Sequence, residues 1–183
     1  AFQDAQGTAY TITGAQGLTV DKQGRLYIAD TENFRILVTD GQGLVQMVIE
    51  RPDASLTGTD SPFRVTALSV NQQGHIYAVV ESMNLGIFVF GEDGAFLRFF
   101  GSNPVSSNAQ LFFNMIAKRF MTKEQIRGSL QSTPLTINGL YIDDKDFVYT
   151  VSAQPGSTLQ TGMVRKLNYL GNNVLGTQKV FGD

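Results

Sequence analysis

Few residues of this chain can bind a metal ion or act as a nucleophile, and their small number excludes several kinds of site. The sequence has one histidine, His75, and no cysteine. Zinc sites and Cys–His nucleophiles need more of these side chains than the chain contains, and a Ser–His nucleophile would have to use His75 itself. A chain without cysteine also forms no disulfide. We therefore expect no catalytic residue, no metal ligand and no cofactor, and we interpret His75 as a solvated turn residue.

An acidic stretch, Asp143, Asp144 and Asp146, is similar in composition to the start of a calcium-binding loop. An EF-hand loop also needs a glycine at its sixth position and a glutamate at its twelfth. The stretch has neither at those positions, so we interpret it as a solvated turn.

Charge and composition exclude further classes of partner. The 183 residues include 14 basic and 16 acidic side chains, a net charge of -2, which predicts no basic surface for nucleic acid. No apolar run approaches the ~20 residues of a membrane-spanning helix. Charged residues are 16% of the chain, below the typical ~25%, which is compatible with a secreted or cell-surface protein. The start, AFQDAQ, has no initiator methionine or signal-peptide pattern, which favours a processed or excised segment.

The elements that position the polar residues are short strands in a repeated pattern. Gly17 to Asp40 contains three apolar runs separated by polar segments, and the pattern returns at Ala67 to Phe90 and from Gly139 onward. A fourth apolar run follows each copy, so we predict three four-stranded antiparallel units at about 17–50, 66–101 and 138–182. Residues 1–7 are expected to be a loose end, followed by a lone strand at Thr8 to Thr13.

A segment of different character, residues 104–134, lies between the second and third units. Capping-box patterns beginning at Ser107 and Thr122 predict two helices there. The first predicted helix is apolar around most of its circumference, which indicates that it is buried or docked. Two interpretations stay open: the insert docks a partner, or it covers an open end of the repeat array. The candidate docking residues are Phe112, Phe113, Ile116 and Phe120.

The first unit resembles the NHL repeat, the blade unit of a six-bladed β-propeller. The second and third copies depart from the pattern at Val80, Gly86, Asp146 and Ser152. The resemblance implies an all-β fold of three propeller blades with a short helical insert. The matching residues of the first copy are Gly17, Leu18, Val20, Asp21, Gly24, Tyr27, Ala29, Asp30, Asn33, Arg35, Ile36, Val38 and Asp40.

Three blades leave two sheet faces uncovered and cannot close a ring. The chain is therefore expected to be half of a longer propeller, to close a ring with a second copy as a homodimer, or to have its end faces capped by other segments. A strand at Thr8 to Thr13 that served as the outer strand of a last blade would favour missing blades.

The resemblance also implies which face binds ligands, namely the one where the fourth strand of a unit leads to the first strand of the next unit and the second strand leads to the third. We expect a non-catalytic module that binds a protein, peptide or glycan there, in an extracellular or cell-envelope bacterial setting. The alternative is a fragment of a metal-assisted lactonase-type hydrolase, in which Asp30, Glu81 and Asn138 would hold a cation. The candidate ligand-binding residues are Gln16, Asp30, Asn33, Arg64, Glu81, Asn84 and Asn138.

Overall fold

The computed structural model describes residues 2–57, 61–81, 86–101, 136–153 and 162–175. Within these ranges the chain forms three sheets, which confirms the all-β prediction. The predicted helical insert, Asn84 and most of the last predicted strand lie outside the described residues.

The sheets follow the three sequence repeats. The first strands of the repeats, β3, β7 and β11, contact one another in order, so the sheets stand side by side as blades around a common axis. Neighbouring strands within each repeat pair antiparallel. The strands are β1 Phe2–Asp4, β2 Ala9–Tyr10, β3 Gly17–Val20, β4 Leu26–Asp30, β5 Arg35–Thr39, β6 Leu44–Ile49, β7 Val65–Val70, β8 Ile76–Val80, β9 Ile87–Phe90, β10 Phe96–Phe100, β11 Thr136–Ile142, β12 Val148–Ala153 and β13 Gly162–Leu167.

The amino-terminal residues form a hairpin, so the expected loose end at residues 1–7 is wrong. Strand β1 runs parallel to β6 and pairs antiparallel with β2, which extends the first sheet at its outer edge. The turn of this hairpin is held by Asp4, whose Oδ1 accepts the backbone N–H groups of Gln6 and Thr8. This local hydrogen bonding orders the segment, although its polar composition predicts no regular structure.

Seven five-residue turns within the described ranges share one hydrogen-bond pattern. The first residue donates its N–H to the C=O of the fifth, and the fourth donates to the C=O of the first. The fourth residue has positive φ and is glycine in every turn except one, where it is Asp146. Glycine adopts this conformation without steric cost. The turns are Asp4–Thr8, Asp21–Arg25, Asp40–Leu44, Asn71–His75, Gly91–Ala95, Asp143–Phe147 and Asn168–Asn172.

Replacing Asp146 with glycine is expected to stabilise the fold. Asp146 has φ of 60°, and its Oδ1 is buried without a hydrogen-bond partner. An L-residue in this region costs about 1 kcal/mol or more relative to glycine. We expect Asp146→Gly to raise the free energy of unfolding in urea by about 1 kcal/mol. The reciprocal control is Gly24→Asp, because Gly24 has φ of 78° with open space around it; it should lose a similar amount. A less stable Asp146→Gly variant would contradict this account.

Two hydrophobic clusters hold the blades together. One lies between the first and second sheets and includes Tyr27, Ile36 and Phe88. The other lies between the second and third sheets and includes Tyr77, Val89 and Val148. Tyr27 and Tyr77 occupy equivalent positions and pack each on the following blade, so the recurrent tyrosine is an inter-blade residue, as a stacked repeat requires.

The connection at residues 50–65 carries more structure than its loop-like composition indicates. It contains a short helix, α1 Ala54–Thr57, and Phe63 is 1% exposed in the first cluster. The ring of Phe63 lies edge-on to Phe88 and Phe90 with centroids 5.8 and 6.0 Å away. A single apolar residue in a polar stretch thus anchors the connection to the core.

The aromatic residues of β10 do not form an exposed patch. A register shift between Phe96 and Arg98 breaks the alternation of the strand, as a β-bulge does. Phe96 and Phe99 therefore both pack against the first cluster, while Phe100 is buried in the second. In the described part of the chain, no helix is long and apolar enough to cross a membrane.

Candidate binding face

The predicted ligand-binding residues lie at one end of the sheets, which we call the loop face. It is the end where β4 and β8 finish and β3, β7 and β11 begin. The opposite end, which we call the turn face, carries the five-residue turns that join the first to the second strand and the third to the fourth. The predicted insert lies between β10 and β11 in sequence, and β10 ends and β11 begins at the loop face.

Asp30 is fully buried, and both oxygens of its carboxylate accept hydrogen bonds from other residues of the chain. Its Oδ1 accepts the backbone N–H of Thr13 at 2.8 Å. Asn33 Nδ2 donates to both carboxylate oxygens at 2.9 Å, and Arg35 Nε donates to Oδ2 at 2.8 Å. The side chain of Asp30 is 0% exposed. This carboxylate therefore organises neighbouring residues instead of facing a ligand.

Asn33 and Arg35 extend the same network to the segment that precedes β3. Both donate to the backbone C=O of Thr11, from Asn33 Nδ2 at 2.9 Å and Arg35 Nη2 at 3.1 Å. The Arg35 guanidinium also lies over the ring of Tyr10, 5.3 Å from its centroid. The spaced Asp, Asn and Arg of the first repeat thus clamp residues 11–13 against the end of the sheet.

Arg64 joins two glutamates on the exposed part of the loop face. Its two terminal nitrogens donate to the two carboxylate oxygens of Glu32 at 2.8 Å. Its Nε donates to Glu81 at 2.6 Å. Glu32 follows β4 of the first blade, whereas Arg64 and Glu81 belong to the second, so this ionic cluster bridges two blades. The side chains of Glu32, Arg64 and Glu81 are 43%, 29% and 49% exposed.

Arg64 and Glu32 stabilise each other's charged forms. Hydrogen bonds to Glu32 and Glu81 raise the pKa of Arg64 above its ordinary value. The hydrogen bond from Arg64 lowers the pKa of Glu32 below 4.5. The cluster keeps one net negative charge, and its solvent-exposed carboxylate oxygens can accept further hydrogen bonds.

The remaining candidates are placed less closely together. Gln16 is exposed, and its backbone N–H donates to Ala29. Asn138 is an exposed residue of β11 in the third blade. Asn84 and the docking candidates Phe112, Phe113, Ile116 and Phe120 lie outside the described residues. The structure thus brings Arg64 and Glu81 together with Glu32, whose contact across 32 residues of sequence no local pattern reveals.

On the turn face, the acidic stretch of the third repeat is a structural turn. Asp143 Oδ1 accepts the N–H groups of Lys145 and Phe147, and its Oδ2 accepts the Tyr149 hydroxyl at 3.0 Å. Burial raises the pKa of Asp143, but these hydrogen bonds outweigh that effect and lower the pKa below 3.8. Among the described residues, no group of three or more His, Cys, Asp or Glu side chains is placed to hold a metal ion.

Comparison with known proteins supports the blade assignment. The family model of the NHL repeat matches residues 13–38. No curated protein matches the sequence. Solved structures that match include a gluconolactonase from Xanthomonas campestris, with 13% identity, a TM-score of 0.53 and coverage of 86% of this chain and 44% of that one. A streptogramin B lyase matches with 12% identity, a TM-score of 0.48 and coverage of 88% and 42%.

The chain thus spans less than half the length of these solved propellers. At such identities the likeness concerns the fold alone. The chain therefore has a fold of β-propeller blades, and its first blade contains an NHL repeat at residues 13–38.

Proposed function

We propose that this chain is a non-catalytic binding or scaffolding module that recognises a protein, peptide or glycan through its loop face. The observation that carries this proposal is the exposed ionic cluster of Glu32, Arg64 and Glu81. Charged groups of this kind make the strong hydrogen bonds that fix the amides of a peptide or the hydroxyls of a sugar. The cluster is held between two packed blades, so its groups are preorganised for a partner.

The attachment of residues 102–135 at the same face supports this proposal. The strands on either side of them, β10 and β11, end at Phe100 and begin at Thr136 on the loop face. In the proposed module, the docking candidates of this segment, Phe112, Phe113, Ile116 and Phe120, supply the apolar part of the contact with the partner. A polar group next to an apolar surface is the usual composition of a recognition site.

The state of Asp30 supports a non-catalytic role over the hydrolase alternative. A metal-assisted hydrolase would need Asp30, Glu81 and Asn138 to direct free oxygens at one cation. The carboxylate of Asp30 already accepts hydrogen bonds from Thr13, Asn33 and Arg35, and Glu81 is paired with Arg64. In this proposal the module works outside the cytoplasm, in keeping with its low content of charged residues, and it contacts neither nucleic acid nor the membrane interior.

Binding assays with matched variants test this function. The chain is screened on a glycan array and an immobilised peptide library, and the affinity of each hit is measured again with Arg64→Ala and Glu81→Gln. We expect each variant to weaken binding by about tenfold, the loss of one charge-assisted hydrogen bond. The control is Glu92→Gln, because Glu92 pairs with Arg25 across the same two blades on the turn face.

Two results would contradict the proposal. Binding that is insensitive to Arg64→Ala but lost in Glu92→Gln would assign recognition to the turn face. Turnover of a lactone that requires Ca²⁺ or Mg²⁺ and stops with EDTA would favour the hydrolase alternative.

A further inference from the structure

A buried hydroxyl group joins the first two blades next to the ionic cluster. Thr31, the residue after β4, donates from Oγ1 to the backbone C=O of Val65 in β7 at 2.6 Å. The same oxygen lies 3.2 Å from the C=O of Ala29 on its own strand. Thr31 and Val65 are both 0% exposed. Because Val65 directly follows Arg64 in sequence, this hydrogen bond fixes the distance between the two blades at the base of the arginine.

The backbone of Glu32 is held through the same threonine. Thr31 begins a short 3-10 turn, Thr31–Asn33, that carries Glu32. Phe34 closes this turn by donating its N–H to the C=O of Thr31 at 3.2 Å, and the N–H of Glu32 donates to the C=O of Thr13 at 3.2 Å. A displacement of Thr31 therefore displaces the carboxylate of Glu32 with it.

The second blade holds the backbone around Arg64 just as firmly. The preceding residue, Phe63, is 1% exposed in the core between the blades. The C=O of Arg64 accepts the N–H of Glu81 at 2.8 Å, so both charged residues of this blade share one backbone support. The hydroxyl of Thr31 thus connects the support of Glu32 in the first blade to the support of Arg64 and Glu81 in the second.

We propose that Thr31 is the positioning residue of the loop face: its hydroxyl sets the spacing at which Glu32 and Arg64 meet, and thereby the arrangement of charged groups that a ligand contacts. This inference rests on the proposed function of that face. Because Thr31 is 0% exposed, it affects binding only through the residues it positions. Groups that are already held in place bind at a smaller cost in conformational entropy, so a change in spacing lowers affinity although every contacting group remains.

Replacement of Thr31 with valine changes this spacing directly. Valine has the shape of threonine with a methyl group in place of the hydroxyl. A carbon atom keeps a distance of about 3.3 Å or more from a carbonyl oxygen, whereas Oγ1 lies 2.6 Å from the C=O of Val65. Thr31→Val therefore moves the end of β4 and the start of β7 apart by about 0.7 Å. With unchanged rotamers, this movement stretches the 2.8 Å hydrogen bonds between Arg64 and Glu32 beyond the usual range of about 2.7–3.2 Å.

An NMR titration of the Glu32 carboxyl in the ligand-free chain tests the positioning role. In the wild type, the hydrogen bond from Arg64 holds the pKa of Glu32 below 4.5. We expect Thr31→Val to raise this pKa toward 4.5, because the carboxylate loses its donors, and Thr31→Ser to keep it low, because the hydroxyl is retained. The matched control is Thr39→Val. Thr39 is also 0% exposed, but its hydroxyl donates within its own blade, to the C=O of Asp40, so the pKa of Glu32 should stay low.

The affinity for the strongest hit of the peptide library or glycan array tests the consequence for recognition. We expect Thr31→Val to weaken this binding by about fivefold, and Thr31→Ser and Thr39→Val to bind as the wild type does. If Thr31→Val does not fold, Thr31→Ala removes the same hydrogen bond without adding a carbon atom there, and it should raise the pKa of Glu32 as well.

The two measurements separate this inference from the proposed function. An unchanged pKa of Glu32 in a folded variant without the hydroxyl would overturn the positioning role, whatever binds at the loop face. A raised pKa with unchanged affinity would overturn the role in recognition. Screens without any hit would count against the proposed function, and the pKa comparison would still decide whether Thr31 positions the cluster.

Discussion

Replacing Asp30 with alanine is expected to cost about 3–5 kcal/mol of unfolding free energy, because it removes one partner of a buried ion pair. The carboxylate is 0% exposed and pairs with Arg35 at 2.8 Å. Without it, the N–H of Thr13 and the side chains of Asn33 and Arg35 lose their shared acceptor. Urea unfolding of the wild type and Asp30→Ala measures the loss. Cleavage by a protease near residues 11–13 should also become faster, since the network holds this segment.

The control for this prediction is Asp40→Ala. Asp40 also accepts hydrogen bonds, from the backbone N–H groups of Gln42 and Leu44 and from the side chain of Gln46, but it is only half-buried and has no arginine partner among the described contacts. Its loss should cost about 1 kcal/mol. Equal losses in the two variants would contradict the structural role of Asp30. Unchanged stability with loss of a bound ligand would make Asp30 a binding residue after all.

The strand pattern could be predicted from sequence because it depends on local chemistry. The runs beginning at Leu26, Ile36 and Leu44 coincide with β4, β5 and β6. Each is bounded by a turn whose glycine or Asp side chain is visible in the sequence. The unusual aspartate at position 146 was visible in the sequence too, since the equivalent turn residues of the other repeats are glycines. The repeated sequence pattern forms a repeated structure, because each blade has to bury the same apolar faces against its neighbours.

The partners of the candidate residues could not be predicted in the same way. Asp30 has the type and position of a ligand-binding residue, and only the path of residues 11–13 shows that it is used internally. Likewise, Arg64 meets Glu32 only because the second blade packs beside the first. Such contacts depend on the angle and spacing of blades, which apolar periodicity does not encode.

Phe63 and the amino-terminal hairpin were missed for a related reason. Both lie in stretches of polar composition, and a single apolar residue or a single Asx turn gives no periodic signal. Phe63 is buried in the cluster between the first and second sheets, beside the rings of Phe88 and Phe90, and this cluster exists only once the sheets have packed. In contrast, the strand at Phe96 was expected, and only the register shift between Phe96 and Arg98 was not visible in the sequence.

Replacing Phe88 with alanine is the second change with a large expected effect. Phe88 is 0% exposed, and its ring lies within 4.8 to 6.4 Å, centroid to centroid, of four other phenylalanine rings. Truncating a buried phenylalanine costs about 3–5 kcal/mol through lost transfer energy and the cavity left behind. Urea unfolding should show this loss for Phe88→Ala, whereas Phe88→Leu should lose much less because it keeps most of the volume.

The comparison with Leu97→Ala decides what the Phe88 result means. Leu97 is 46% exposed on the adjacent β10, so its truncation should change stability by no more than about 0.5 kcal/mol. The four rings around Phe88 come from β9, β10 and the connection before β7, so Phe88→Ala should also loosen Phe63 and its connection. Loss of Phe63 protection in hydrogen exchange, together with the urea result, would show that one aromatic cluster holds the connection and the blade interface as a unit. Unfolding of the connection at residues 50–65 in the wild type, independently of the rest of the chain, would contradict this single-unit account. The aromatic cluster would then stabilise the interface between the blades alone.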